Sequence, residues 1–425
     1  MRSDIIEADL TWIDHRFETG VRVTVTGDKI TAITRDGVPT RRLRGRALLP
    51  GFVNAHSHAF QRGLRGLGEH YPEGFGDFWS WREAMYTLVE ELTPDRLRRL
   101  CLLAFEEMLA AGVTTVGEFH YIRHLDAEQR DFAFDEIVLQ AAAEAGIRIA
   151  LLPCLYTTGG FDRPLAGGQL RFATPELDAA LRQMDRLETQ LNAVTQTIGI
   201  APHSLRAVPS DMAKACFVAA ADRDWVVHMH VEEQQREIDD CVAALGVRPM
   251  RWLLDNIDLN HRFTAIHATH TTDDDLAALS QRSGNVCVCP ITEGNLGDGI
   301  ANMRKMLERP DSVCVGSDSN IRIDFAEEAR QMEYSQRLRD QRRGRLIDAN
   351  GHTAPLLLDC VTENGARALN IPTGQIETGH YADFATIDLE HPHLAETNPD
   401  ALAAAFVFGA GAECVREVCV GGVWR

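Results

Sequence analysis

Eight apolar, strand-like segments, each separated from the next by a stretch with helical character, set the frame for this chain. They are ALLPGFVNAHSH (47–58), GVTTVGEF (112–119), IRIALLPCLY (147–156), TIGIAPHSL (197–205), WVVHMHV (225–231), FTAIHAT (263–269), NVCVCP (285–290) and SVCVGSD (312–318). Near-continuous apolar strands are what a parallel sheet covered on both faces requires. The intervening helices carry their own punctuation. Thr93-Pro94 opens one that runs to Gly112, and Gly146 closes another after DEIVLQAAAEA. Strand–helix alternation means parallel βα units, and eight is the count that closes a barrel. An open doubly wound sheet is the competing architecture, but no G-x-G-x-x-G follows the first strand. The expected fold class is therefore α/β, a (β/α)8 TIM-like barrel over 48–371. The flanking segments, 1–47 and 372–425, read as short strands that cannot each bury a face alone, so both termini are expected to combine as one small β-sandwich domain.

Charge narrows the partners. Lys+Arg 43 against Asp+Glu 62 leaves a net −19, which disfavours a nucleic-acid or anionic-membrane surface. No uncharged apolar run approaches the ~20 residues of a membrane span. The opening MRSDIIEADLTWID has no apolar core of a signal peptide, and the ten cysteines read as reduced thiols, so a cytoplasmic location is expected. Cys287 and Cys289, within NVCVCP, read as packing residues.

In such a barrel, chemistry sits at the C-terminal ends of the strands. The first strand ends in His56-Ser57-His58, the fourth in His203, the fifth in His228-Met229-His230, the sixth in His267 and the eighth in Asp318. A lone H-x-H carries little weight, since 16 histidines in 425 positions give roughly 0.6 such pairs by chance. Three occur, and His391-Pro392-His393, away from every barrel rim, reads as a solvated loop. The other two gain meaning from alternation: His56 and His58 face one way, as do His228 and His230, with His230 nearer the rim. Imidazole nitrogen and carboxylate oxygen are ligands that a divalent ion such as zinc accepts, with a position left for water.

At LPGFVNAHSHAFQRGLRG (49–66) the chain resembles the amidohydrolase superfamily, whose first barrel strand carries an H-x-H metal pair. TGQIETGHYADF (373–384) is similar to that superfamily's return into its β-sandwich. The strings NAHSHAFQR, FWSWREAMY, EFHYIRH, HSLRAV, HVEEQQREIDDC, IHATH, TEGNLGDG, GSDSN and EYSQRLRDQRRGRL resemble, more narrowly, the formimidoylglutamate deiminases of histidine degradation. The resemblance implies one divalent metal ion, zinc, held by His56, His58, His230 and Asp318. The lack of lysine in TIGIAPHSLR agrees with a single ion. It further implies catalytic roles for Glu233, His267 and Asp318, substrate-binding roles for Gln61, Arg82, Tyr121, His203 and Arg206, and a homodimer. It assigns no firm role to Asn320.

Local chemistry meets these roles unevenly. N-formimino-L-glutamate is a dicarboxylate, and guanidinium forks at Arg82 and Arg206 suit carboxylates despite the global −19. Taken alone, Arg82 reads as a surface charge on a helix. Glu233 lies three residues past His230, so it reaches a metal only if the chain turns after Val231; on a continuing strand Glu232 is the inward carboxylate. With that turn, Asp318 and His267 would take a proton from water and Glu233 would protonate the leaving nitrogen. The competing expectation is a superfamily deaminase acting on a purine or cytosine-type ring, which would want aromatic and amide contacts in place of the arginines.

Overall fold

The computed structural model describes residues 3–69, 71, 74 and 76–425. Residues 1 and 2, which open the expected sandwich segment, lie outside the described residues. The eight expected barrel strands are Phe52–Ser57, Val113–His120, Arg148–Leu155, Gln196–Ile198 with Ala201–Pro202, Val227–Val231, Phe263–His267, Asn285–Val288 and Val313–Val315. All their pairings are parallel. Apart from the short fourth strand, every residue in them is buried, as the apolar runs require. Two seams close the ring. Ile200 bridges Val227, and Ser57 bridges Asp318; at the second, His58 N–H donates to the Asp318 carbonyl (2.9 Å) and Asp318 N–H donates to the His56 carbonyl (3.0 Å). The second seam brings the first and eighth strands, and hence His56, His58 and Asp318, side by side. A glycine makes this approach feasible: a Cβ on Gly316 would lie 2.6 Å from both the Cβ and the carbonyl oxygen of His56.

Helix signals hold where they were strongest. Thr93 Oγ1 accepts the Arg96 N–H (3.2 Å) at the start of Pro94–Ala110, and Gly146 ends Ala133–Ala145 at φ +80°. The terminal segments build one eight-stranded sheet from strands at both ends of the chain, with Ser3–Ile13 parallel to Arg41–Pro50. The sheet curls over an apolar core of Ile6, Val23, Val25, Ile30, Leu43, Leu48 and Phe384. Its far edge is tied back where Ile30 N–H donates to the His380 carbonyl (2.9 Å) and Gly379 N–H to that of Ile30 (2.8 Å). The sandwich is thus a folded-over sheet shared by the two termini. Not all of the C-terminal segment is strand, however: Pro399–Gly409 is a helix, capped by Asn398, whose side chain accepts the Ala401 N–H (2.9 Å). The Asn-Pro start and the alanine run favour a helix there, between the two expected strand segments ADFATIDLE and ECVREVCVGGVWR.

Asp383, from the Ala-Asp-Phe string, joins sandwich to barrel. Its buried carboxylate accepts two hydrogen bonds from Arg148 (2.7 and 3.0 Å), one from Thr373 (2.8 Å) and one from the Gly421 N–H (2.7 Å). A buried pair satisfied this fully fixes geometry, and removing one partner strands the other charge. Among the described residues, no helix is long and apolar enough to cross a membrane.

Candidate metal centre and substrate cleft

His56, His58, His230 and Asp318 each offer one ligand atom, and these atoms all lie within 4.8 Å of one another. All four side chains are buried. His58 and His230 turn Nδ1 toward the backbone carbonyls of Phe119 (2.7 Å) and His203 (3.1 Å). A proton on Nδ1 satisfies each carbonyl and leaves the Nε2 lone pair free, the arrangement a metal ligand needs. Nε2 of His56 and His58 stand 3.4 and 3.2 Å from Asp318 Oδ1. Among the described residues neither ring nitrogen of His56 has a hydrogen-bond partner, although the ring is fully buried. Such orphaned buried nitrogens are costly unless something binds them. Burial pushes the His56 imidazole down to about 4 and His58 to about 3, and holds His230 well below its usual range, so the rings are neutral donors. Burial alone would raise the Asp318 carboxyl, but His56, His58 and His267 around it hold it low and ionised. Three neutral imidazoles and one carboxylate fit a divalent transition metal.

The turn that Glu233 needs is present. The fifth strand stops at Val231, and Glu232 takes φ +55°, a left-handed conformation that costs a non-glycine residue on the order of 1–3 kcal/mol. Glu233 thereby swings into the cleft, its Oε1 3.6 Å from His267 Nε2. Glu232 goes the other way, accepting the Met250 N–H (3.1 Å) and pairing with Arg248 (3.2 Å). His267, Ala268, Asp318 and Asn320 also have positive φ, between +45° and +70°, so backbone strain gathers at the metal centre. Burial disfavours a charged His267, yet Glu233, Glu293 and Asp318 raise its pKa well above the ordinary value. Of these, Glu293 escaped sequence reasoning. Its Oε1 lies 3.3 Å from His267 Nδ1 and accepts the Cys289 N–H (2.8 Å). Burial pushes the Glu233 carboxyl up, favouring its protonated form.

The cleft beside the cluster is lined by Gln61, Arg82, Tyr121, His203 and Arg206, together with Glu233, His267 and Asp318. Gln61 donates to the Tyr121 hydroxyl. Gln61 Oε1 and Arg82 Nε are buried without partners among the described residues. Arg82 is not a solvated charge: it lies on helix Phe78–Glu91, its guanidinium 4.3 Å from the Trp79 ring centroid and facing the cleft beside Tyr86. Burial lowers its pKa, and the charge of Arg206 adds to the effect. Three further groups had no sequence signal. Tyr86 and Tyr156 line the same cleft, and Gln169 Nε2 spans their hydroxyls (2.8 and 3.4 Å), so the 160–170 segment braces two lining residues. Two expected neighbours stand aside. His228 Nε2 lies 3.2 Å from the Ala368 carbonyl, deeper in the barrel and outside the ligand set. Asn320 latches the Asp318 loop, its side chain bonded to Ser57 Oγ (3.1 Å) and Ser317 Oγ (2.6 Å).

The amidohydrolase family profile matches residues 47–425, from the barrel's first approach to the C-terminus. The chain is an amidohydrolase family member. It is 38% identical to the formimidoylglutamate deiminase of Pseudomonas aeruginosa over 99% of this chain and 94% of that one. The amidohydrolase is also 29% identical to the 5-methylthioadenosine/S-adenosylhomocysteine deaminase of Natronomonas pharaonis, covering 95% and 86% of the two chains. Among solved structures, an amidohydrolase from Brucella melitensis superposes with a TM-score of 0.91 at 34% identity, over 99% of this chain and 94% of that one. A zinc-bound adenosine deaminase from Xanthomonas campestris shares the fold at 24% identity, with a TM-score of 0.83 over 99% and 92% of the chains. As a member of this family, the amidohydrolase is a metal-dependent hydrolase of C–N bonds.

Proposed function

We propose that this amidohydrolase deiminates N-formimino-L-glutamate, with water as co-substrate and N-formyl-L-glutamate and ammonia as products, a step of histidine degradation. One observation carries the reading: two arginines, Arg82 and Arg206, share one cleft with the ligand cluster. Two guanidiniums within mutual influence repel unless an anion lies between them, and a dicarboxylate meets both. Tyr121, Tyr86 and Tyr156 add hydroxyl donors beside them. A purine or cytosine ring carries no anionic group to place between these cations, and the ring-deaminase alternative is set aside on that ground.

In this reading His56, His58, His230 and Asp318 hold one zinc ion, and Gln61 and His203 approach the formimino group. When bound, the ion supplies Lewis acidity that makes a water nucleophilic near neutral pH. Asp318, with His267 beside it, accepts the proton that water gives up. His267 stays oriented because Glu293 holds its Nδ1 side. Glu233, its carboxyl favoured in the protonated form, delivers a proton to the departing nitrogen as general acid. Cytoplasmic location and a homodimeric state belong to the same proposal. The test is ammonia release by metal-replete protein. Turnover of N-formimino-L-glutamate should exceed that of N-formimino-glycine by at least about 10-fold, the worth of one lost charged contact, with guanine and cytosine inert. Equal rates on the two formimino substrates, or preference for a ring, would overturn it.

A further inference from the structure

The His391-Pro392-His393 turn is more than a solvated loop. It meets Cys414, and His391, His393 and Cys414 each present a ligand atom within 4.8 Å of the others. His391 Nδ1 lies 3.2 Å from Cys414 Sγ and accepts the His393 N–H (3.3 Å), so its lone pair, not a proton, points into the cluster. The two imidazoles stand nearly perpendicular (79°) with centroids 4.8 Å apart, so they do not stack against each other. Glu413 Oε1 lies 3.0 Å from His393 Nδ1, the kind of carboxylate that orients a ligating imidazole from behind. Cys414 is buried, His391 partly buried and His393 exposed, so the cluster has a closed floor and an open face where solvent can complete a coordination shell.

We propose that His391, His393 and Cys414 form a second metal site, on the terminal domain and separate from the barrel cleft, for a thiophilic divalent ion of the zinc class. One thiolate and two imidazoles select zinc or cobalt over magnesium or calcium, which demand oxygen ligands. The site joins the turn before helix Pro399–Gly409 to the segment Ala412–Cys414 that follows it. An ion there ties together the two ends of the excursion that carries this helix.

The test uses the whole protein, with its cleft first filled by zinc and excess metal removed. Titration with cobalt(II) should show one further equivalent bound, with a near-ultraviolet thiolate-to-cobalt charge-transfer band. Cys414→Ser should lose both band and equivalent. His393→Ala, at an exposed position that does not threaten folding, should weaken the affinity roughly tenfold or more. Ammonia release should be unchanged in both variants, so failure here leaves the cleft chemistry untouched. No band in the parent protein, a band that survives Cys414→Ser, or unaltered binding by His393→Ala would each overturn the proposal and leave Cys414 and His391 as a simple hydrogen-bonded pair.

Discussion

Replacing Arg206 by methionine keeps the apolar stem of the side chain and deletes the guanidinium. Arg206 sits three residues past His203 at the end of the fourth barrel strand, in a cleft wall shared with Arg82, Tyr86 and Tyr156. A charge-assisted hydrogen bond contributes about 1.5–3 kcal/mol, and at ~1.36 kcal/mol per decade its loss lowers kcat/KM by about 10- to 150-fold. Because the contact is made to a carboxylate remote from the reacting carbon, it holds substrate and transition state alike, so the loss should appear in KM with kcat little changed. The fold should tolerate the change: Glu237, one carboxylate near Arg206, is already pushed up to about 7 by burial and can take a proton once the cation is gone. Steady-state ammonia release would be measured for the parent and Arg206→Met on N-formimino-L-glutamate and on two monocarboxylates, N-formimino-glycine and N-formimino-4-aminobutyrate. On the analogue that lacks the carboxylate Arg206 holds, the variant and parent should converge to within about threefold, since no charged contact remains to lose. An equal loss on all three substrates, or a loss confined to kcat, would refute a carboxylate-binding role and make Arg206 a structural group.

Glu293→Gln removes the negative charge behind His267 Nδ1 and should lower kcat by roughly 10- to 100-fold with metal content intact by elemental analysis, the usual effect of disturbing an outer partner. Glu233→Gln should abolish turnover without loss of metal; retained turnover would remove Glu233 from proton delivery. Glu118 gives a pH signature in stability. Burial pushes its carboxyl up to about 8, against 4.5 as the ordinary value. A raised carboxyl pKa means the folded state holds its proton more tightly. The cost of ionising Glu118 is therefore absent below about 4.5, grows between 4.5 and about 8, and is constant above that. Thermal unfolding of Glu118→Gln and the parent should diverge in the variant's favour from pH 5 to pH 8, by a few kcal/mol at the upper end; a pH-independent gap would contradict the shift.

What was legible in the sequence follows from which forces leave a local trace. The barrel did, because parallel strands buried on both faces read as near-continuous apolar runs, and the meeting of His56 and His58 did, because a strand's two-residue alternation puts them on one face. Glu233 marks where that logic ends. Alternation predicts Glu232 as the inward carboxylate, and only the left-handed φ of Glu232 reverses the choice, a backbone state that neither residue announces. The helix Pro399–Gly409 was missed although its Asn398 cap and Pro399 were visible, since a short alanine-rich run between strands gives a weak period. Glu293, Tyr86, Tyr156 and Gln169 were invisible for a further reason. Glu293 and Gln169 acquire their roles only through partners distant in the chain: His267 for Glu293, and the two tyrosines for Gln169. A tyrosine on an amphipathic helix is by default a core residue. What moves Tyr86 into the cleft is the guanidinium of Arg82 one turn earlier on the same face. The local spacing was in the sequence; the cleft they both face was not, because closing it takes the loop at Gln169 and the third barrel strand that leads into Tyr156.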